Sequence, residues 1–376
     1  MKVSKKQTAL ILTICMSIFL TGCWDQKIYE KIGFILQIGV EVEENGELRY
    51  TVGIPVVAPE AQERFEVLTT TITHMREGRD KVRQVSGKAV EGGKTQQIFF
   101  SEALASKGID EYLEIFLRSP ENSLLADVVI VQGSPYDLMK VSGQFRDKPR
   151  PAFYVNSLLD SSHKNSYTPE TRISNFLILS RSGTIDPVTP IVSYNTEEIK
   201  IEGAALFSGD KMVGKIDTKE MGILNGLRGE KKSINYIYHG LHSDKYPEDL
   251  KKGSTINMKV KKRKVNMRID GDLPVIDIKL AFIGSLNEYS GELNLDDPKD
   301  KKKLEEAISD AIEKDSMRLL KRLVESGSDP IGFGEIARTK YNKYWKSVNW
   351  KDAYKSAVFN VEVEIKLEFY GAVTNL

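Results

Sequence analysis

The N-terminal segment of this 376-residue chain constrains its fold and its setting more than any other stretch. Three lysines precede the apolar residues 9–20, which are too few to cross a bilayer as a helix, since that takes about 20 apolar residues. A basic start, a short apolar run and small residues before a cleavage point are typical of an export signal. The run ends in Leu20-Thr21-Gly22-Cys23, which has the spacing of a bacterial lipoprotein signal.

This spacing predicts cleavage between Gly22 and Cys23, with diacylglycerol on the Cys23 sulfur and an acyl group on its new amino terminus. Two or three acyl chains anchor a protein stably, at about 0.8 kcal/mol per buried methylene, whereas one chain is marginal. We therefore expect a folded body tethered to the outer face of the cell membrane. The alternative is an ordinary secretory signal with an incidental cysteine.

Composition limits the partners and the chemistry of the mature chain. Removing residues 1–22 takes three lysines and no acidic residue from 54 basic and 53 acidic residues, which leaves a formal charge of −2. A near-neutral body lacks the concentrated basic footprint of nucleic-acid-binding proteins, so we expect no nucleic acid partner. Cys15 leaves with the signal and Cys23 is lipidated, so the body has no disulfide, thiolate metal site or cysteine nucleophile.

We expect three parts along the chain: the signal peptide at 1–22, an N-terminal region at 23–197 with two subdomains, and a C-terminal domain at 198–376. In the N-terminal region, Asn45-Gly46 between two alternating runs predicts a hairpin, because both residues tolerate positive φ. Asp110 is predicted to cap a helix that runs to residue 118. Residues 143–172, rich in Pro, Ser and Asn, predict loops with one short helix near 155–159.

In the C-terminal domain, apolar and polar residues alternate clearly, which predicts long strands with one buried face. The alternating segments are 254–260, 265–269, 276–282 and 359–369. The phase reverses at Lys261-Lys262-Arg263-Lys264, which predicts a solvated hairpin tip, with contact to lipid headgroups or an acidic partner as the alternative. A helix at 298–325, with Asp297 as N-cap and Pro298 in its first position, is expected to cover the apolar face. The fold class is therefore α+β, a multi-domain body with mixed or antiparallel sheets covered by helices.

Motifs for catalysis and for metal or nucleotide binding are weak. Residues 87–95 resemble a phosphate-binding loop, but they have five residues where that loop has four and they follow a helix instead of a strand. His239, His242 and Asp244 are the nearest approach to a metal site, and a solvated loop explains them as well. No nucleophile motif is present, so we expect no catalytic residue, no metal and no cofactor beyond the lipid on Cys23.

The order and spacing of several segments resemble the Ger(x)C lipoproteins, the C subunits of spore germinant receptors in endospore-forming Firmicutes. The resemblance covers essentially the whole mature chain. The segments that carry it are Cys23-Trp24-Asp25, 33–41, 100–118, 186–191, 203–207, 211–214, Asp329-Pro330-Ile331-Gly332-Phe333-Gly334, Trp345 and Trp350.

The resemblance implies a three-part α+β body on the outer face of the spore inner membrane. It further implies that this body works beside a multi-spanning A subunit and a transporter-like B subunit in detecting nutrients such as amino acids or sugars. We expect the partner subunits to hold the nutrient. Trp24, Asp25, Trp345 and Trp350 are the candidate partner-binding residues, and packing under the sheet is the alternative for the last two. The rival interpretation of the chain is a solute-binding lipoprotein of a transporter.

Overall fold

A computed structural model describes residues 32–56, 65–119, 121–239, 254–289 and 293–370. These residues form an eight-stranded sheet, a four-stranded sheet and a small pair of parallel strands, with helices packed on the sheets. The predicted α+β class is confirmed. The predicted signal peptide and Cys23 lie outside the described residues. Among the described helices, none is long and apolar enough to cross a membrane.

The strands in chain order are β1 (Ile32–Phe34), β2 (Gln37–Val42), β3 (Leu48–Pro55), β4 (Phe65–Ile72), β5 (Ala89–Glu91), β6 (Gln97–Ser101), β7 (Asp127–Val131), β8 (Val188–Tyr194), β9 (Ile199–Ser208), β10 (Lys211–Ile216), β11 (Ile234–Tyr238), β12 (Ser254–Asp270), β13 (Leu273–Glu288) and β14 (Val358–Tyr370). The helices are α1 (Met75–Val85), α2 (Glu102–Ala105), α3 (Asp110–Arg118), α4 (Pro135–Ser142), α5 (Pro151–Lys164), α6 (Ile173–Ser180), α7 (Thr218–Arg228), α8 (Pro298–Ser326), α9 (Phe333–Lys340), α10 (Asn342–Ser347) and α11 (Trp350–Lys355).

The eight-stranded sheet has the strand order β10-β9-β8-β7-β6-β2-β3-β4. Its centre, from β2 through β6 and β7 to β8, is parallel, and the outer strands pair antiparallel. Parallel strands are buried on both sides, and here α1, α3 and α6 pack on one face while α4 and α5 pack on the other. The hairpin predicted at Asn45-Gly46 joins β2 to β3, with Gly46 at φ +84°.

The helix predicted near residues 155–159 is present, but it is longer than the sequence predicts. The region expected to be mainly loops contains α5, which spans 14 residues and starts with Pro151 in its first turn. Its cap residue Arg150 makes no side-chain capping bond, so Pro151 alone signals the start of this helix in the sequence. The predicted capping role of Asp110 is also wrong, because Asp110 is the first helical residue and its carboxylate accepts hydrogen bonds from Ser180 Oγ and Arg181 Nε.

The four-stranded sheet has the order β11-β12-β13-β14, with β13 and β14 parallel. The long helix α8 covers its apolar face, as predicted, with Asp297 accepting a hydrogen bond from the Lys299 amide and Pro298 in the first turn. The predicted apolar stripe of α8 is buried: Leu304, Ile308, Ile312, Leu319 and Leu323. Two side chains of α8 also accept the outward N–H groups of the edge strand β14, Ser309 from Ile365 and Glu305 from Leu367. This helix therefore covers one face of the sheet and part of its edge.

The hairpin tip predicted at 261–264 is wrong. Residues 254–270 form one continuous strand, β12, whose pairing with β13 shifts register between Val260 and Lys262. A bulge adds one residue to one strand of a pair and reverses the side-chain phase beyond it, which explains the pattern in the sequence. The turn of the hairpin lies instead at Gly271, between Asp270 and Leu273.

One hydrophobic core joins the two sheets. Helix α7 packs on β9 and α8, and its buried side chains share a cluster with the inner faces of β12 and β13. Val188, Ala204, Leu206 and Ile216, from the eight-stranded sheet, belong to that same cluster. Strands β9 and β10 lie beyond residue 198 and still complete the eight-stranded sheet. The domain boundaries given above stay a prediction.

Candidate functional site at the junction of the sheets

Two aspartates connect the segment before β8 with the segment after α8. The Asp329 amide donates to Asp186 Oδ2 at 2.8 Å, and the Asp186 amide donates to the Asp329 carbonyl at 3.0 Å. Asp186 Oδ1 also accepts from the Gly209 amide at 2.7 Å, at the turn between β9 and β10. Both aspartates precede prolines, and Asp-Pro pairs favour turns, so each carboxylate lies at a point where the chain changes direction.

The Asp329 carboxylate holds the start of α9. It accepts from the amides of Gly332, Phe333 and Gly334 at 2.9, 3.1 and 2.7 Å. Asp329 is 3% exposed, and this burial raises its pKa to about 6, despite the three amides that favour the charged form. A carboxylate at a helix N-terminus also interacts favourably with the helix dipole.

Further hydrogen bonds cross the junction around the aspartate pair. Ser328 Oγ donates to the Phe207 carbonyl at 2.6 Å, and Arg228 Nε donates to the Pro330 carbonyl at 2.9 Å. Lys351 Nζ donates to Ser208 Oγ at 2.8 Å. These bonds connect β9 and α7 with the segment 328–351, which follows α8.

An aromatic cluster lies beside Asp329. Trp350 Nε1 points at Asp329 Oδ2, 3.4 Å away, and the ring of Trp350 lies 5.8 Å from that of Trp345 and 5.9 Å from that of Tyr354. Gly334 makes this packing possible, because a Cβ there would lie 2.6 Å from Trp350 Nε1 and 2.7 Å from the Thr184 carbonyl oxygen. The cluster therefore fixes the distance between α9 and α11.

The hydrogen-bond donors to the Asp329 carboxylate all come from the chain itself, and this determines what the carboxylate can do chemically. The Asp329 carboxylate is buried and accepts hydrogen bonds at both oxygens, which leaves it no access to a substrate. Burial and the two nearby aspartates raise the pKa of Tyr354 well above its ordinary value, so its hydroxyl stays neutral. The arrangement is suited to holding two sheets in a fixed relation.

The predicted site residues do not form one site in the described part of the structure. Trp350 is 6% exposed and Trp345 is half-buried, as the packing alternative describes, while partner contact by either stays a prediction. Gly22, Cys23, Trp24 and Asp25 lie outside the described residues. His239 is exposed, and its proposed companions at 242 and 244 are also outside the described part. In that part, no group of His, Cys, Asp and Glu side chains is arranged to hold a metal ion.

The aspartate pair was missed as a site by sequence reasoning. Asp186 and Asp329 were noted only within segments of the family resemblance, and they are 143 residues apart. Each Asp-Pro pair signals a turn, but no local pattern indicates which two turns meet. Both aspartates lie in segments of the family resemblance, 186–191 and 329–334. The resemblance therefore pointed to the two segments, although it did not show that they meet.

Two family models match the chain in sequence order. One, described as the spore germination protein N-terminal domain, matches residues 25–194, and the other, described as spore germination B3/GerAC like, C-terminal, matches residues 202–371. The chain belongs to the Ger(x)C family of spore germination proteins.

Individual relatives agree with this assignment. The chain is similar to spore germination protein GerQC of Bacillus cereus, with 28% identity over 363 residues that cover 96% of this chain and 98% of that protein. It is similar to spore germination protein KC of Bacillus subtilis, with 21% identity over 99% of this chain and 97% of the relative. The crystal structure of the GerBC protein has the same fold, with a TM-score of 0.56 and 16% identity over 88% of this chain and 96% of that one.

Proposed function

We propose that this Ger(x)C protein is a lipid-anchored, non-enzymatic subunit of a nutrient germinant receptor, working with membrane-embedded A and B subunits. The observation that carries the proposal is the pair of family-model matches, which together follow the chain from residue 25 to residue 371. The relatives named as spore germination proteins align over 96% or more of this chain.

The lipid on Cys23 supplies the location in this proposal. The lipoprotein pattern of residues 20–23 supports an acylated Cys23 on the outer face of the spore inner membrane. A tether of this kind keeps the body beside the outer loops of the A and B subunits, and it raises the effective concentration for docking without any new contact.

The folded body contributes a docking surface whose parts do not move independently. The aspartate pair, the bonds of Ser328 and Arg228 and the shared core all support this role, because they join the sheets through buried contacts. The nutrient itself is held by the partner subunits, and this chain stabilises or couples the receptor.

Co-purification tests the proposal. We would tag the C-terminus, solubilise spore inner membranes in mild detergent and identify the proteins that accompany the chain. The expected result is a multi-spanning receptor subunit together with a transporter-like subunit. The variant Cys23→Ala should lose the lipid and recover far less of both partners, whereas Cys15→Ala, a matched change within the signal, should recover them normally.

Two results would overturn the receptor assignment. Recovery of an ABC permease would support the solute-binding alternative, and recovery of the tagged chain alone would show that it works outside such a receptor. Loss of partners without loss of membrane attachment in Cys23→Ala would separately contradict the anchoring role of the lipid.

A further inference from the structure

A cavity of about 440 Å³ lies between α1 and the C-terminal end of α3, on the face of the eight-stranded sheet that these helices cover. Its volume is in the range of small-molecule sites, about 300–1,000 Å³. One part of its wall is apolar and includes Met75, Ile115 and Phe116. The aspartate pair and the aromatic cluster of the junction do not line this cavity, so the role of the junction does not account for it.

Three arginines on the other part of the wall give the cavity an excess of positive charge. Arg118 pairs with Glu114 at 2.8 Å, and Arg79 lies 3.6 Å from Glu121, which also lines the cavity. Arg76 is exposed and has no counter-ion in the described part of the chain. Three arginines against two glutamates leave one positive charge uncompensated, so these groups favour a monoanion.

The Arg79 guanidinium has a donor edge that no described residue uses. Its side chain is 19% exposed, and both of its contacts are made by Nη1: the ion pair with Glu121 and a long hydrogen bond of 3.4 Å to Asn122 Oδ1. Nε and Nη2 therefore have no acceptor among the described residues. The parallel N–H groups on one edge of a guanidinium match the two oxygens of a carboxylate.

A tyrosine hydroxyl provides a further donor. Tyr50 lines the cavity and is 3% exposed, and its ring packs against Gly78 of α1, where a Cβ would lie 2.6 Å from ring atoms. The hydroxyl has no hydrogen-bond partner in the part of the chain that the structure describes. Burial raises its pKa well above the ordinary value, and the Arg79 guanidinium opposes this only in part, so the hydroxyl stays protonated. A buried donor without an acceptor costs free energy, and an anion at Arg79 supplies the acceptor.

We propose that this cavity binds a small organic monocarboxylate. Its oxygens accept hydrogen bonds from Nε and Nη2 of Arg79 and from the Tyr50 hydroxyl, and its apolar body packs on Ile115 and Phe116. Arg76 contributes the positive charge that the ligand compensates. A neutral amide of the same shape leaves that charge uncompensated, and inorganic phosphate leaves the apolar wall uncovered.

This site goes beyond the receptor assignment, because it makes the body itself sensitive to a ligand while the partner subunits hold the nutrient. The two statements fail separately. A titration on the purified chain tests the cavity whether or not partners are present, and the co-purification tests assembly whether or not the cavity is occupied.

The test is calorimetric titration of the full-length chain in mild detergent at pH 8, at constant ionic strength. The probes are 4-methylpentanoate, its neutral amide 4-methylpentanamide, acetate, which carries the charge without the apolar body, and inorganic phosphate. We expect 4-methylpentanoate to bind at least tenfold more tightly than each of the other three. Equal binding of the amide would exclude recognition of the charge, equal binding of acetate would exclude the apolar contact, and equal or tighter binding of phosphate would exclude selection of a carboxylate. Each of these results would overturn the proposal.

Variants assign the binding to the donors. Tyr50→Phe removes only the hydroxyl, and Arg79→Gln removes the guanidinium; each should weaken binding of 4-methylpentanoate tenfold or more. Arg146→Gln, an exposed arginine elsewhere, should leave the binding unchanged. Circular dichroism identifies any variant that has not folded, and the other variant then decides. No binding of 4-methylpentanoate up to tens of millimolar, or unchanged binding in the folded variants, would contradict the assigned site.

Discussion

At the scale of single residues, burial and close approach set the chemistry of this protein. Asp127 and Asp329 are ordinary aspartates in the sequence, yet burial raises the pKa of Asp127 to about 7 and that of Asp329 to about 6. Asp110 is partly exposed. Its carboxylate pairs with Arg181 and accepts a hydrogen bond from Ser180, and these contacts join α3 to the end of α6. Surroundings that come from distant parts of the chain decide these roles, and residue type alone does not reveal them.

The raised pKa of Asp127 makes stability depend on pH. An acid whose folded-state pKa lies above its unfolded value of about 3.9 stabilises the fold fully below that value, and the contribution is lost as pH rises through about 7. Asp127→Asn removes this loss, so we expect the variant to exceed the wild type in unfolding free energy at pH 8 by on the order of 2 kcal/mol.

Urea denaturation at pH 4, 6 and 8 measures this effect. The difference between the variant and the wild type should grow with pH over that range. The control Asp147→Asn should run parallel to the wild type, because a neighbouring lysine holds the pKa of Asp147 below its ordinary range. A wild type that gains stability steadily from pH 4 to pH 8 relative to Asp127→Asn would contradict the assigned pKa.

Gly334 tests close packing at the same scale. Gly334→Ala places a methyl group 2.6 Å from Trp350 Nε1 and 2.7 Å from a backbone oxygen, and the backbone has to shift to relieve the overlap. We expect a loss of roughly 1–3 kcal/mol in unfolding free energy. Gly87→Ala is the matched control, since its Cβ meets no atom within 4 Å, and it should change stability little. Equal thermal midpoints for the two variants would rule out the tight contact.

At the scale of elements, the sequence predicted correctly those turns and helix starts that depend on a few adjacent residues. The hairpin at Asn45-Gly46 and the start of α8 at Asp297-Pro298 were predictable, because a positive φ and a capped first turn are properties of a few adjacent residues. The bulge in β12 was not, because a bulge and a hairpin tip both reverse the phase of alternation. Helix α5 was predicted only near 155–159 instead of 151–164, because its polar residues resemble a loop and its capping bond is absent.

Deleting Lys261 tests the bulge in β12. Val260 pairs with Phe282 and Lys262 with Ala281, which are adjacent in β13, so the deletion removes the extra residue and leaves a regular ladder with the buried faces unchanged. We expect the denaturant midpoint to change little. Deleting Asn266, in the regular part of the strand, is the comparison, because it turns Met267 and Ile269 to the solvent face if the rest of the pairing is kept, at a cost of at least about 2 kcal/mol. Midpoints that fall equally for both deletions would contradict the bulge.

At the scale of the whole molecule, long-range contacts decide how the sheets act together. The class of the fold followed from alternation and one long helix, but the parallel centre of the eight-stranded sheet required pairings such as β2 with β6 that no local signal indicates. The Asp186–Asp329 contact spans 143 residues for the same reason. The family resemblance located both segments without showing that they touch.

A shared core and a buried junction predict that the body unfolds as one unit. Differential scanning calorimetry of the wild type should show one transition, with equal calorimetric and van't Hoff enthalpies. Asp186→Ala leaves the amides of Gly209 and Asp329 without their acceptor, at a cost of at least about 2 kcal/mol, and it breaks the side-chain link between the segment before β8 and the segment after α8. The variant should melt earlier and in two steps, because the four-stranded sheet and α8 keep their own contacts. The exposed Asp352→Ala should keep the wild-type profile. A single transition in Asp186→Ala at the wild-type midpoint would show that the shared core alone couples the sheets, and the docking role proposed for this body would then rest on α7 instead of the aspartate pair.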